Sequence, residues 1–148
     1  LRIAAELVGR GANPARVAAR LYEARRPESL ALLGRLLQRI EVSSDGLMAW
    51  LALPAGSAPE LFLEAEDLVI YPRSIESVKV GILLKETGNG RVKVSLRGKG
   101  DVAVNAIAAR FGGGGHVNAA GCTVAGSLEE ATAKVLNAVS EALGRPAR

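Results

Sequence analysis

Residues 78–97 read Val78-Lys79-Val80-Gly81-Ile82-Leu83-Leu84-Lys85-Glu86-Thr87-Gly88-Asn89-Gly90-Arg91-Val92-Lys93-Val94-Ser95-Leu96-Arg97. Val78, Val80, Ile82 and Leu84 alternate with their neighbours, and Val92, Val94 and Leu96 do the same. A period of two puts each set on one face of a strand. Gly88-Asn89-Gly90 lies between the two runs and tolerates the positive φ of a tight turn, so the stretch predicts a β-hairpin. The outward set on the second strand is Arg91, Lys93, Ser95 and Arg97, with Lys79 and Lys85 on the corresponding set of the first. Two such strands can present a basic surface. For Lys79, Lys85 and Arg91 a solvated strand face is the better account.

Upstream of the hairpin the texture is helical. Leu1, Ala4, Ala5 and Val8 share one helical face, and Gly11 ends that segment. Asn13-Pro14 restarts a helix, with Asn13 as N-cap and Pro14 at its first position. Val17, Leu21 and Tyr22 form its apolar stripe, and Arg25-Arg26-Pro27 breaks it. A third helix is expected from Glu28 to Ile40, with Leu30, Leu33, Leu37 and Ile40 on one side. Ser43-Ser44-Asp45-Gly46 reads as a turn between extended segments, and Leu47–Leu53 as a short buried strand. Pro54–Pro59 reads as a loop and Glu60–Val69 as a helix. Pro72 is expected to restrict Tyr71 and open a connection.

Downstream, Gly98-Lys99-Gly100 is a turn. Asp101 or Asn105 is expected to cap a short helix that carries Ile107 and ends near Phe111. A run of four glycines follows, then a small, apolar strand over Val117–Val124. Ser127 and Glu130 form a capping box for the last helix. That helix buries Leu128, Ala131, Val135, Ala138, Val139 and Leu143 before Gly144 and Pro146 end it. The expected fold is α/β: a mixed sheet with a hairpin, packed by helices and preceded by an N-terminal helical segment.

The inventory of the 148 residues narrows the chemistry. There is a single histidine, and the aspartates, Asp45, Asp67 and Asp101, are scattered. Metal-dependent hydrolysis needs several His, Cys or carboxylate ligands converging on one point, and no such spacing exists here. A self-contained metal centre is therefore not expected. The lone Cys122 allows no internal disulfide and fits a reducing, cytoplasmic setting. No apolar run approaches a membrane span, and no secretory signal pattern opens the chain. It starts at Leu1 without a methionine and reads as a fragment or trimmed product. The net charge of +4 favours anionic partners, though it is also an ordinary solubility charge.

One constellation stands out: Gly112-Gly113-Gly114-Gly115-His116, followed by Asn118 and the small residues Ala119-Ala120-Gly121. Consecutive glycines bury nothing and cost entropy on folding, so they suit a backbone that must turn sharply or approach something closely. Successive N–H groups in such a turn can form a nest for a phosphate. His116 can donate a hydrogen bond to the same anion, and Asn118 adds an amide. A flexible linker is the competing account, but a linker more often mixes Gly with Ser. The run matches neither the P-loop nor the dinucleotide fingerprint. Arg97 comes next as a phosphate contact, followed by Lys99 and Arg110, for which a solvated charge is an even alternative.

Several segments together closely resemble a known family. They are Val94-Ser95-Leu96-Arg97, Gly100-Asp101-Val102, Ala108-Ala109-Arg110-Phe111-Gly112-Gly113-Gly114-Gly115-His116 and Asn118-Ala119-Ala120-Gly121. The likeness is to the C-terminal DHH-associated domain of the DHH phosphoesterase superfamily, which is RecJ-like. The Ser-Leu-Arg segment and Tyr71-Pro72-Arg73-Ser74-Ile75 most resemble the branch of bifunctional oligoribonucleases and phosphoadenosine phosphatases. The resemblance covers most of Glu28–Leu143.

The resemblance implies a two-domain hydrolase in which an upstream DHH domain holds two manganese ions and this portion grips substrate. Residues 1–27 would be closing helices of that upstream domain, 28–40 a linker helix and 41–148 the binding domain. Arg97, Gly113, Gly114, Gly115, His116 and Asn118 would contact substrate, with no catalytic residue and no metal or other cofactor held by this chain. The implied substrates are short single-stranded RNA and 3'-phosphoadenosine 5'-phosphate. A single-strand exonuclease or cyclic-dinucleotide phosphodiesterase module is the alternative within the superfamily, and a non-catalytic RNA-binding module the alternative outside it. The parent is expected to be a phosphodiesterase, and this chain alone is expected to be inactive.

Overall fold

The computed structural model describes residues 1–23, 25–57 and 67–144. By internal contacts the chain divides into Leu1–Arg35 and Leu36–Arg148, a division that falls inside one helix.

The first unit is helical. Helix α1 spans Arg2–Gly9 and α2 spans Pro14–Tyr22. Asn13 caps α2 as expected, its side chain accepting from the Arg16 N–H at 3.1 Å, with Pro14 at the first helical position. Helix α3 covers Pro27–Leu37, three residues short of the expected Ile40. The last turn unwinds into Arg39 N–H and Ile40 N–H bonds three residues back.

The second unit is built on a six-stranded mixed sheet. Its strands are β1 (Glu41–Val42), β2 (Met48–Leu53), β3 (Val80–Glu86), β4 (Arg91–Gly98), β5 (Gly114–His116) and β6 (Ala119–Ala125). Their spatial order is β1-β2-β3-β4-β6-β5. Only β2 and β3 run parallel; every other neighbouring pair is antiparallel. A parallel pair needs a crossover. The described part of this one is a 3-10 turn, Asp67–Val69, followed by α4, Ile70–Ser74. The expected helix over Glu60–Val69 otherwise lies outside the described residues, as do Ala58 and Pro59 of the expected loop and Pro146.

Pro72 does not open a connection. It is the third residue of α4 and is buried. The first turn of a helix has no intrahelical partner for its N–H groups, so a proline there forfeits nothing.

The hairpin forms as read. Glu86 pairs with Val92, and Gly88, Asn89 and Gly90 all adopt positive φ. Its inward residues build the core. Val80, Ile82, Leu84, Val92, Val94 and Leu96 are fully buried. They pack with α5 (Val104–Ala109) and α6 (Leu128–Ala142) on one face of the sheet. In α6 the capping box is present, and Ala131, Val135, Ala138 and Val139 are buried, with Leu128 and Leu143 half-buried against the same core.

The opposite face is divided. Over β2 and β3 it is apolar and covered: Ala49, Leu51, Leu53 and Leu83 are buried, and α4 and the 3-10 turn pack there. Over β4, β6 and β5 it is largely exposed. Ser95, expected to point to solvent, is only 8% exposed. Its cross-strand neighbours are Leu83 and Gly121, which puts it where the covered half begins.

Candidate functional site

The exposed half-face brings together three of the candidate residues, Arg97, Gly114 and His116. Arg97 on β4 pairs with Ala119 on β6, which pairs in turn with His116 on β5. Directly opposed residues in an antiparallel ladder project to the same face, so Arg97, Ala119 and His116 form one row. Their neighbours Leu96, Ala120 and Gly115 form the next row and turn to the core face. Two strand spacings separate Arg97 from His116, roughly 10 Å. Between them the floor is small: Ala119 in this row, then Gly121 and Gly114 in the next row on that face. His116 and Gly114 are exposed and Arg97 is half-buried. Arg97 leans on the strand, its Nη1 donating to the Leu96 carbonyl at 3.1 Å.

Pairing across β4, β6 and β5 brings Arg97 to the glycine segment. That segment is not a nest. Gly114–His116 is a strand, and only Gly112 and Gly115 have φ in the left-handed region, at +71° and +142°. The Gly112 and Gly113 N–H groups already donate to the Ala109 and Ala108 carbonyls, at 3.0 Å each. Gly113 and Gly115 serve close packing. A Cβ on Gly113 would collide with the Gly121 carbonyl oxygen and lie 2.5 Å from Cys122 Cβ. One on Gly115 would lie 2.6 Å from the Ala119 carbonyl oxygen. Of the glycines singled out in the sequence, Gly114 alone opens onto the Arg97–His116 face with nothing within 4 Å. As a sheet edge, β5 still leaves part of its backbone hydrogen-bonding capacity unpaired at the rim.

The strand after the glycines starts at Ala119. Val117 and Asn118 are the two-residue turn that joins β5 to β6, and Val117 is 52% exposed. This tip is anchored: Gly98 N–H donates to the Asn118 carbonyl at 3.0 Å and Val104 N–H to the Val117 carbonyl at 2.9 Å. The second bond satisfies the start of α5, whose N-cap is Ala103 and has no side-chain cap. Neither Asp101 nor Asn105 caps that helix. It starts at Val104, so Asn105 already lies inside it, and the Asn105 side chain accepts from the next N–H at 2.9 Å.

Other candidates have structural roles. Arg110 pairs with Glu141 on α6 at 2.7 Å, on the core face and away from the row. Lys99 donates through Nζ to the Ile75 carbonyl at 2.7 Å, tying down the end of α4. Burial pushes the Cys122 thiol above its ordinary value, which makes it a packing residue and not a nucleophile.

A further cation, Arg73, lies beside this row and was not singled out from the sequence as a contact. It sits on α4 directly over Gly81, where a Cβ would lie 2.7 Å from both the Arg73 N and Cβ. Gly81 pairs with Arg97, so Arg73 continues the row by one strand. Its Nε lies 3.4 Å from the Gly98 carbonyl oxygen, one residue beyond Arg97. The available signal was Gly81 itself, a glycine inside an apolar strand, which marks a close backbone approach.

The DHHA1 domain family matches residues 64–145, the segment that carries this row. The chain belongs to the DHHA1 family. Over 146 residues it is 39% identical to the bifunctional oligoribonuclease and PAP phosphatase NrnA of Thermus thermophilus, spanning 98% of this chain and 44% of that protein. An exopolyphosphatase-related protein from Bacteroides fragilis superposes with a TM-score of 0.75 at 28% identity, over 96% of this chain and 42% of the other. A pGpG-specific phosphodiesterase, PggH, from Vibrio shares the fold, with a TM-score of 0.56 at 12% identity over 79% of this chain and 39% of its own. This DHHA1 chain thus spans less than half the length of these relatives. Among its described residues there is no group of three or more His, Cys, Asp and Glu that could hold a metal ion, and no helix long and apolar enough to cross a membrane.

Proposed function

We propose that this chain is the substrate-gripping part of a phosphoesterase, and that the Arg97–Ala119–His116 row holds a phosphate of a short oligoribonucleotide or of 3'-phosphoadenosine 5'-phosphate. The observation that carries the reading is the row itself: two donors on one face, separated by a small floor that lets a ligand approach the sheet. A guanidinium offers a planar fork to phosphate oxygens, and an imidazole N–H adds a second donor. The likeness to the Thermus protein supports the substrate class. Gly114 contributes the clearance, whereas the Asn118 side-chain oxygen lies beside Gly98 and Val104, on the α5 side of the sheet, and takes no part in this row.

The described residues do not fit a metal ion. The two manganese ions belong, in this reading, to an upstream DHH domain, where they would supply the hydrolytic chemistry. Residues 1–27 would close that domain, 28–40 would link it and 41–148 would bind substrate. Leu7, Val8, Val17 and Leu21 support that division: they lie on helices without a single buried residue, as expected of stripes that need a further partner. The contribution of this portion is positional and electrostatic. A cytoplasmic setting suits both the free thiol and the substrates.

Fluorescence anisotropy with a labelled ribo-oligonucleotide of a few residues tests the reading. Arg97→Ala and His116→Ala should each weaken binding about tenfold, the effect of one charge-assisted contact. Wild-type affinity in both variants would overturn it.

A further inference from the structure

We propose that Arg73 is a second phosphate-binding residue, which lets this face distinguish a ligand carrying two phosphates from one carrying a single phosphate. The inference rests on the reading that Arg97 and His116 bind a nucleotide phosphate.

Three observations carry it. First, the fold makes room for Arg73. Helix α4 lies against β3 at Gly81, and a Cβ there would come within 2.7 Å of the Arg73 backbone nitrogen. A side chain on residue 81 would push Arg73 away from the row. Second, Arg73 and Arg97 are held alike. Arg73 Nε rests 3.4 Å from the Gly98 carbonyl oxygen, and Arg97 Nη1 rests 3.1 Å from that of Leu96. Both side chains lean on backbone oxygens at the same end of β4. Among the described residues no carboxylate forms an ion pair with either, whereas Arg10, Arg26 and Arg110 all have one. Two neighbouring guanidinium groups without a counter-charge repel each other, and an anion relieves that repulsion. Third, the donors are spread out. Arg73 Nε and Arg97 both lie at β4, two strand spacings, roughly 10 Å, from His116 on β5. Three donors over that span are more than one phosphate can satisfy. A ligand with two separated phosphates can satisfy them, with one near Arg97 and His116 and the other near Arg73.

The test is isothermal titration of the full chain with adenosine 5'-monophosphate and with adenosine 3',5'-bisphosphate. The wild-type chain should prefer the bisphosphate. Arg73→Ala and the polar but uncharged Arg73→Gln should each weaken the bisphosphate about tenfold and the monophosphate less than about twofold, which removes the preference. His116→Ala should weaken both ligands. Arg73 is exposed, so both variants should fold, and circular dichroism checks this. Equal loss for both ligands, or no loss for either, would overturn the role of Arg73 while leaving the Arg97–His116 reading intact. Failure of the wild-type chain to bind either nucleotide would overturn that reading and this proposal with it.

Discussion

Gly113 and Gly114 are adjacent and chemically identical, yet their surroundings are opposite. A Cβ on Gly113 would collide with the Gly121 carbonyl oxygen, whereas one on Gly114 would meet nothing within 4 Å. Neither has positive φ, so the contrast is purely one of space. Gly113→Ala should therefore cost about 1–3 kcal/mol as an overpacked contact. Gly114→Ala should stay within about 0.5 kcal/mol of wild type. Urea denaturation measures both, and equal midpoints would refute the packing described for β5 and β6. Within a run of four glycines the sequence has no means of ranking them. What distinguishes them is the path of β6, which passes beneath Gly113 and Gly115 and leaves Gly114 open.

At the scale of elements, local signals were legible and long-range ones were not. The hairpin around Gly88-Asn89-Gly90, the Asn13-Pro14 helix start and the Ser127–Glu130 capping box each form within a few residues, and each is found where the sequence puts it. Strand β5 escaped because glycines carry no alternation of apolar and polar side chains. The burial of Ser95 escaped because it depends on α4 lying over the neighbouring strands. The same holds for the site. Arg97 and His116 were legible as donors, but their shared row required the register of β4, β6 and β5. Arg73 required the contact across Gly81. The capping box also gives a test confined to one element. Ser127 accepts from the Glu130 N–H at 3.2 Å, and Glu130 reaches back to the Ser127 N–H at 3.1 Å. Ser127→Ala should cost about 1 kcal/mol of stability in thermal melting. Nucleotide binding should be unchanged, because α6 packs on the face opposite His116. A loss of affinity without a loss of stability would mean that α6 takes part in binding.

Across the whole molecule, the sheet separates two tasks. One face, with α5 and α6, holds the largest set of buried side chains. The other is covered by α4 over β2 and β3 and left open over β4, β6 and β5. Covering half a face turns a sheet surface into a ledge, with Arg73 and Arg97 at its step, small residues on its floor and His116 at its rim. A phosphate ligand held there by cations should bind in a salt-dependent manner, because counterions are released. The most direct measurement is an amide NMR titration of the full chain with a short ribo-oligonucleotide at low and at moderate salt. Shifts should cluster at Arg97, Ala119, Gly114 and His116 and weaken as salt rises. Shifts centred on α5 and α6, or none at millimolar ligand, would contradict a phosphate site on this ledge.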